Sequence, residues 1–394
     1  PFRLGAIAFV ASFCGLLALD MVPSWVMQQV GLDGKRCLSC EKSRCHKVKL
    51  QPPSPSSGAP LVADLEWAPK GLAQYEGYAD ATCTESSSAG GCRGRPAVPT
   101  WVVTAENVSS TIRFYDSSPF SPSGRYLALF QFPHGIEGAA DIPAGLVGHV
   151  VVVDLRAGSR RVVAETRGWD TQTGAHVQWG GGDHELFYND LDETLTQVHG
   201  VKLNIETGSK LVMECPIYQV SPDGKAAISP CLRRISRTQR GYGVHLKGKV
   251  PENKNSPTDD GLYMTDTSTG KCRILASFRD ISKATGLDPS LPTYGFHAKF
   301  SPQGDAIMFI VRTRGPASKP KTDPSNGNHV VVMDLNGTQI ERVVSWSYGF
   351  REGSHPNFLP NGRGVILNLE YPSRGTEWAV MACPTSLFGS GAGV

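Results

Sequence analysis

From residue 61 onward, apolar positions fall in short runs rich in valine and isoleucine, at 101–103, 126–132, 149–155 and 330–335, with turn residues between them. Short apolar runs bounded by Gly, Pro, Asp and Ser predict β-strands. Helical spacing emerges once, over Phe278–Thr285. The pattern predicts an all-β chain of several short sheets.

An internal repeat organises these strands. Phe120 precedes Ser121-Pro122-Ser123-Gly124, Val220 precedes Ser221-Pro222-Asp223-Gly224, Phe300 precedes Ser301-Pro302-Gln303-Gly304, and Phe358 precedes Leu359-Pro360-Asn361-Gly362. A degenerate copy follows Trp179 as Gly180-Gly181-Gly182-Asp183. Proline presets φ early in such a turn, and glycine supplies the positive φ required later. Each turn is followed by a short apolar strand, and several copies go on to a second turn after Asp, as at Val153-Asp154-Leu155 and Met333-Asp334-Leu335. Strand, turn, strand, turn at this spacing is the unit of a β-propeller blade of about 40–45 residues. Residues 61–394 thus have room for a seven-bladed β-propeller, with ring closure expected to draw on 61–115.

The repeat register isolates three histidines. His176, His297 and His355 each stand three residues before the residue that leads into the turn. The strand entering that turn is innermost in a propeller, so the three imidazoles are expected to converge near the axis, as a metal site or a catalytic cluster.

One stretch, residues 216–243, carries further chemistry. Two short strands joined by the turn at Ser221 run into Arg233, Arg234, Arg237 and Arg240, then Gly241-Tyr242-Gly243. Four guanidiniums so close repel one another, so the cluster is expected to face water or an anion. The net charge of +3 over 394 residues is too mild to indicate a nucleic-acid partner.

The N-terminal part reads differently. Arg3, an apolar run at 4–19 and Asp20 resemble a signal anchor or signal peptide, since sixteen residues fall short of a span of about 20; the anchor is favoured because no A-x-A cleavage site stands out and a mixed segment, 21–30, follows. This predicts the secretory pathway, with the chain either membrane-anchored through this segment (1–30) or secreted. Residues 31–60 form a Cys-rich stalk and a Pro/Ser linker. Cys37, Cys40 and Cys45, followed by His46, are expected in disulfides rather than as zinc ligands. Cys83 is expected to pair with Cys92, and Cys215 and Cys231 flank a hairpin that a disulfide can staple. Asn107-Val108-Ser109 and Asn336-Gly337-Thr338 are glycosylation acceptors.

Several of these segments resemble the propeller polysaccharide lyases, the oligogalacturonate-lyase and ulvan-lyase-like group. The carrying residues are Gly168-Trp169-Asp170-Thr171-Gln172, Gln178-Trp179, Leu186-Phe187-Tyr188-Asn189-Asp190, the run from Pro216 to Ser229, Arg233-Arg234, Arg240-Gly241-Tyr242-Gly243, Asp259-Asp260-Gly261-Leu262-Tyr263, and His297 ahead of Phe300-Ser301-Pro302. The likeness spans 114–372 and is most specific from 169 to 301.

The resemblance implies β-elimination on a uronic-acid polysaccharide. A cation must neutralise the uronate carboxylate, a base must take the C5 proton, and an acid must protonate the leaving O4. By this likeness Tyr218 and Arg234 are acid/base and neutraliser, His176 a histidine acid/base, and His297 a further histidine of the site. Arg233, Arg237, Arg240, Tyr242 and Gln178 are expected to bind substrate. His297 and His355 are expected to hold a divalent metal ion (manganese, calcium or zinc). The competing reading is a non-catalytic propeller that binds an anionic glycan or a protein partner.

Overall fold

The computed structural model describes residues 100–136, 142–315, 325–345, 353–371 and 377–385, together with 46–47 and the single positions 72, 318 and 387. The described strands make five four-stranded antiparallel sheets. The first holds β2 (Ser110–Thr111), β3 (Tyr126–Gln131), β4 (Gly148–Asp154) and β5 (Ser159–Thr166). The second holds β6 (Gln178–Trp179), β7 (Glu185–Leu191), β8 (Val198–Asn204) and β9 (Lys210–Val212). The third runs β10 (Gln219–Val220), β11 (Ala226–Ser229), β12 (Gly261–Asp266), β13 (Cys272–Ser277). The fourth runs β14 (Thr293–Phe300), β15 (Ala306–Thr313), β16 (Asn328–Asp334), β17 (Ile340–Ser345). The fifth holds β18 (Gly353–Phe358), β19 (Gly364–Tyr371) and β20 (Glu377–Pro384), and its fourth strand is β1 (His46–Lys47), pairing His46 with Ala382. That last strand lies within 31–60, the segment read as stalk and linker.

The repeated turn works in the same way in four of the five sheets. The amide of the glycine bonds the carbonyl three residues back, as from Gly124 to Ser121, Gly224 to Ser221, Gly304 to Ser301 and Gly362 to Leu359. In each, φ of the glycine is near +70° (73°, 73°, 72° and 70°), where a Cβ is strained. The degenerate copy closes differently, from Glu185 N to Gly182 O, yet Gly180 N still bonds Glu185 O as Ser121 N bonds Tyr126 O. Turn chemistry thus sets the register of every hairpin.

Consecutive sheets bury their faces against each other. Ala128, Val150 and Val152 of the first share a core with Leu186, Val201 and Leu203 of the second. A larger core runs from Ile228 and Leu262 through Phe309 and Val331 to Val365 and Leu367 of the fifth. Strands β15 and β16 are covered on both faces, which explains why Ile307–Val311 and Val330–Met333 read as unbroken apolar runs. Five blade-like sheets in chain order, each packed on the next, are the arrangement of a β-propeller.

Among the described residues, the α-helix forms where expected. α1 (Phe278–Thr285) starts with a capping box between Ser277 and Asp280 and stops at Gly286, whose φ is 68°.

One cysteine expectation is corrected. Cys215 pairs with Cys272, not Cys231. Cys215 follows β9 and Cys272 opens β13, so the bond joins the outer edges of two neighbouring sheets. Cys231 follows the inner hairpin instead, and its thiol lies 3.7 Å from Nη1 of Arg234. Asn107 and Asn336 are both exposed. The apolar segment 4–19 and Cys37, Cys40, Cys45, Cys83 and Cys92 lie outside the described residues. Among the described residues no helix is long and apolar enough to cross a membrane.

Candidate functional site

The segment 113–116, between β2 and β3, meets the inner strands of three other sheets. Nε of Arg113 donates to the Tyr218 carbonyl at 2.8 Å, and Tyr115 reaches Lys299 of β14 and the Pro356 carbonyl of β18. A polar cluster therefore fills the middle of the molecule.

Two of the three register histidines meet there. Tyr218, just ahead of β10, lies with its ring centroid 5.0 Å from His176 and 5.7 Å from His297. Its hydroxyl is hydrogen-bonded to Nδ1 of His297. Burial pushes the Tyr218 phenol well above its ordinary value, and the nearby Asp116 carboxylate adds to that. Burial holds His297 well below the usual histidine range, reinforced by the Lys299 ammonium. Both partners are neutral, so the tautomer of His297 sets the direction: with the proton on Nε2, Tyr218 donates and Nδ1 accepts. The Arg113 guanidinium favours the phenolate but is outweighed by burial.

His176 is held by a relay. Thr173 Oγ1 lies 2.8 Å from both Asp170 oxygens and 3.0 Å from Nε2 of His176, whose separation from Asp170 Oδ2 is 3.7 Å. One hydroxyl proton can go to Asp170, so Nε2–H of His176 donates to the hydroxyl. Nδ1 of His176 is then a bare lone pair, buried without a hydrogen-bond partner. Burial keeps this imidazole neutral, and Asp170 opposes the shift. Its backbone φ is +54°, strained for a residue with a Cβ. His355 has the same strain at +56°, and β14 and β18 both slip register beside their histidines. Such bulges re-aim side chains.

His355 does not join the other two. It is exposed and packs edge-on against Tyr115 at 4.7 Å. Lys299 lies between: its ammonium bonds the Pro356 carbonyl and the Tyr115 hydroxyl and pairs with Asp116 at 3.0 Å. Arg113 holds the other oxygen of Asp116 at 2.9 Å. Burial alone would raise the Asp116 carboxyl, but Lys299 and Arg113 hold it well below the usual range. A divalent ion shared by His297 and His355 does not fit these residues. Nδ1 of His297 is taken by Tyr218, and a buried ammonium lies between the two strands. Among the described residues no three His, Cys, Asp or Glu side chains are grouped to hold a metal ion.

The remaining expected residues are placed as follows. Gln178 spends its amide on the backbone, donating to the carbonyls of His176 and Tyr218 and accepting from Val220 N. Tyr242 is half-buried beside Phe114, Phe296 and His297, and burial pushes its phenol up to about 12. Arg234 pairs with Asp260 at 3.2 Å. It stands at the N-cap of a 3-10 turn, Ile235–Arg237, in which Ile235 is buried. Arg233 donates to the Lys249 carbonyl, while Arg237 binds the Val250 carbonyl and Glu252. Arg233 and Arg237 thus clamp residues 249–252, Arg234 is tied to Asp260, and Arg240 is exposed.

Sequence reasoning missed Arg113, Asp116, Lys299 and the Asp170–Thr173 relay. Lys299 left a signal, a lysine inside an otherwise apolar inner strand.

No family model matches the chain, and no curated protein matches it. Among solved structures it is similar to oligogalacturonate lyase from Vibrio parahaemolyticus, at 13% identity and TM-score 0.44, covering 73% of this chain and 66% of that one, just under two thirds. It is also similar to a putative TolB from Agrobacterium tumefaciens (15%, TM-score 0.37, 64% and 71% covered) and to an oligogalacturonate lyase in complex with manganese (12%, TM-score 0.31, 73% and 94% covered). At these scores the likeness carries no argument about activity.

Proposed function

We propose that this chain is a seven-bladed propeller polysaccharide lyase that cleaves a uronic-acid-containing polymer by β-elimination. The observation that carries the reading is the hydrogen bond from Tyr218 to His297, with His176 beside it. Transfer of the phenolic proton to Nδ1 of His297 makes Tyr218 a base. The phenolate takes the C5 proton, the C4–C5 double bond forms as the C4–O4 bond breaks, and O4 leaves with a proton returned from the pair. The proton lost at C5 is matched by the one gained at O4. Nδ1 of His176 is a second acceptor at the same centre. The half-buried rings of Phe114 and Tyr242 beside His297, and of Tyr115 beside His355, offer flat surfaces for sugar rings. In this proposal the chain acts in the secretory pathway, anchored through residues 4–19 or released, on an acidic polysaccharide and not on nucleic acid.

The test follows the ultraviolet absorbance of unsaturated uronate against pectic, ulvan and alginate substrates. Product formation that Tyr218→Phe removes supports the reading; absence of product on all three rejects it.

One observation favours a second reading. Tyr218 and His176 are each 1% exposed, and His297 6%. Groups so enclosed can instead serve to tie the inner strands together, leaving a non-catalytic propeller that binds an anionic glycan or a protein at its rim. Tight uronate binding without product singles out that reading.

A further inference from the structure

Arg113 and Lys299 come from different inner segments and share one carboxylate, Asp116, at 2.9 and 3.0 Å. The side chains of all three are buried, with 0–1% exposure. Nη2 of Arg113 is buried with no hydrogen-bond partner. Two guanidinium and ammonium charges against one carboxylate leave the cluster one positive charge in excess. Excess charge in the interior is unfavourable unless another group answers it.

The side facing solvent is the one where His355 is exposed and Tyr115, Phe114 and Tyr242 are half-buried. Tyr115 joins that rim to the cluster, since Lys299 lies 4.6 Å from the centre of its ring and bonds its hydroxyl. Arg234, the other cation considered for this role, is engaged by Asp260.

We infer that Arg113 and Lys299 form a built-in cationic subsite for the carboxylate of an acidic sugar, in the place where the sequence pointed to a divalent metal ion. The inference rests on the reading of the ligand as a uronate polymer. It makes the chain metal-independent, because the ammonium of Lys299 already supplies the charge a metal ion would bring between the strands of His297 and His355. A neutral ester of the same sugar leaves the excess charge unanswered and binds less well.

The experiment compares binding of a galacturonate trimer and its fully methyl-esterified form to the EDTA-treated full chain by calorimetry. The acid is expected to bind at least roughly tenfold tighter than the ester, as a charged hydrogen-bonded pair warrants. Added manganese, calcium or zinc should leave that ratio unchanged, and Lys299→Met should lower it severalfold. Equal affinity for acid and ester, or a preference seen only after metal is added, overturns the inference. The wild-type comparison decides this even where Lys299→Met fails to fold. Acid-selective binding with no unsaturated product removes the lyase reading and leaves the subsite standing.

Discussion

Tyr218 of the third sheet and His297 of the fourth are joined through one hydrogen bond, phenol to Nδ1, across the middle of the molecule. Neither group is charged in its ordinary state here, because burial raises the phenol and lowers the imidazole. Both shifts oppose transfer of the phenolic proton to the imidazole; Arg113, whose guanidinium lies over the Tyr218 ring, is the group that favours the phenolate during the reaction. Tyr218→Phe removes the hydroxyl and nothing else. Turnover on a uronate substrate is expected to fall by about 10²–10⁴-fold with binding almost unchanged, the range of a lost general acid/base. Steady-state rates and calorimetry check the two halves separately. A variant that turns over at the wild-type rate removes Tyr218 from the chemistry.

The buried charges make a stability test that needs no substrate. Asp116→Asn leaves Arg113 and Lys299 without a counter-charge, raising the cluster from one excess positive charge to two. Breaking a buried pair in this way costs about 3–5 kcal/mol, to be read as a drop in the urea midpoint. Adding Lys299→Met to Asp116→Asn restores one excess charge and should recover part of the loss. No recovery in the double variant would mean that the lysine's contacts, not its charge, set the stability.

Acid should destabilise the fold from a pH set by the histidines. His176, His297 and His329 have folded pKa values below the unfolded one, so the unfolded state binds more protons as pH falls below about 6.5. Their contribution is present above that pH and shrinks below it; for His329, held at about 4 by burial and by Arg342, the loss continues to about pH 4. Asp116 acts in the same direction lower down, since its depressed carboxyl stabilises above the ordinary carboxylate pKa and that contribution fades toward acid. Urea midpoints should therefore decline steadily from pH 7 to pH 4, and His297→Gln should flatten the upper part of that decline. A midpoint constant between pH 7 and pH 5 contradicts the burial of these imidazoles as neutral groups.

What could be read in the sequence follows from what is local. The turns at Ser121, Ser221, Ser301 and Leu359 depend on a proline, a glycine and one short hydrogen bond, so their spacing disclosed the repeated sheets, and Ser277 with Asp280 disclosed α1. Register arithmetic brought His176 and His297 to one centre but not His355, because a position along a strand does not fix which way a bulge turns the side chain. In the third sheet the register position falls on Ile217, fully packed, and Tyr218 is the residue that meets the histidines. Arg234 stands sixteen residues after Tyr218, yet its guanidinium is paired with Asp260. Arg113 and Asp116 meet Tyr218 and Lys299 only through the closing of several sheets around one centre, which no short window of sequence contains.

The disulfide between Cys215 and Cys272 joins the outer edges of the second and third sheets, closing 57 residues. On chain entropy alone a loop of that length is worth about 4 kcal/mol. Peptide mapping without reduction should recover the 215–272 linkage with Cys231 as a free thiol. The Cys215→Ser/Cys272→Ser variant should unfold at clearly lower urea. A linkage between Cys215 and Cys231 would overturn the packing of those two sheets.

Two arginines compete for the role of neutraliser, and conservative variants separate them. Arg113 donates from Nε to the Tyr218 carbonyl and from Nη1 to Asp116, and its guanidinium stacks 4.9 Å from the centre of the Tyr218 ring. Lysine keeps one charge but cannot make both bonds or lie flat on the ring. Arg113→Lys is therefore expected to lower turnover by about 10²-fold or more, the scale of losing a preorganised group aimed at developing charge. Arg234 is tied to Asp260 and lies beside the Cys231 sulfur, on the side of its hairpin facing β12. Arg234→Lys keeps an ion pair to Asp260, so turnover should stay within about threefold of wild type, with a stability cost of about 1 kcal/mol, typical of a weakened pair. Initial rates and urea midpoints measured on both variants decide the matter. Loss of turnover in Arg234→Lys with an unchanged midpoint would hand the carboxylate to Arg234 and require the loop it starts to move toward Tyr218 when substrate binds.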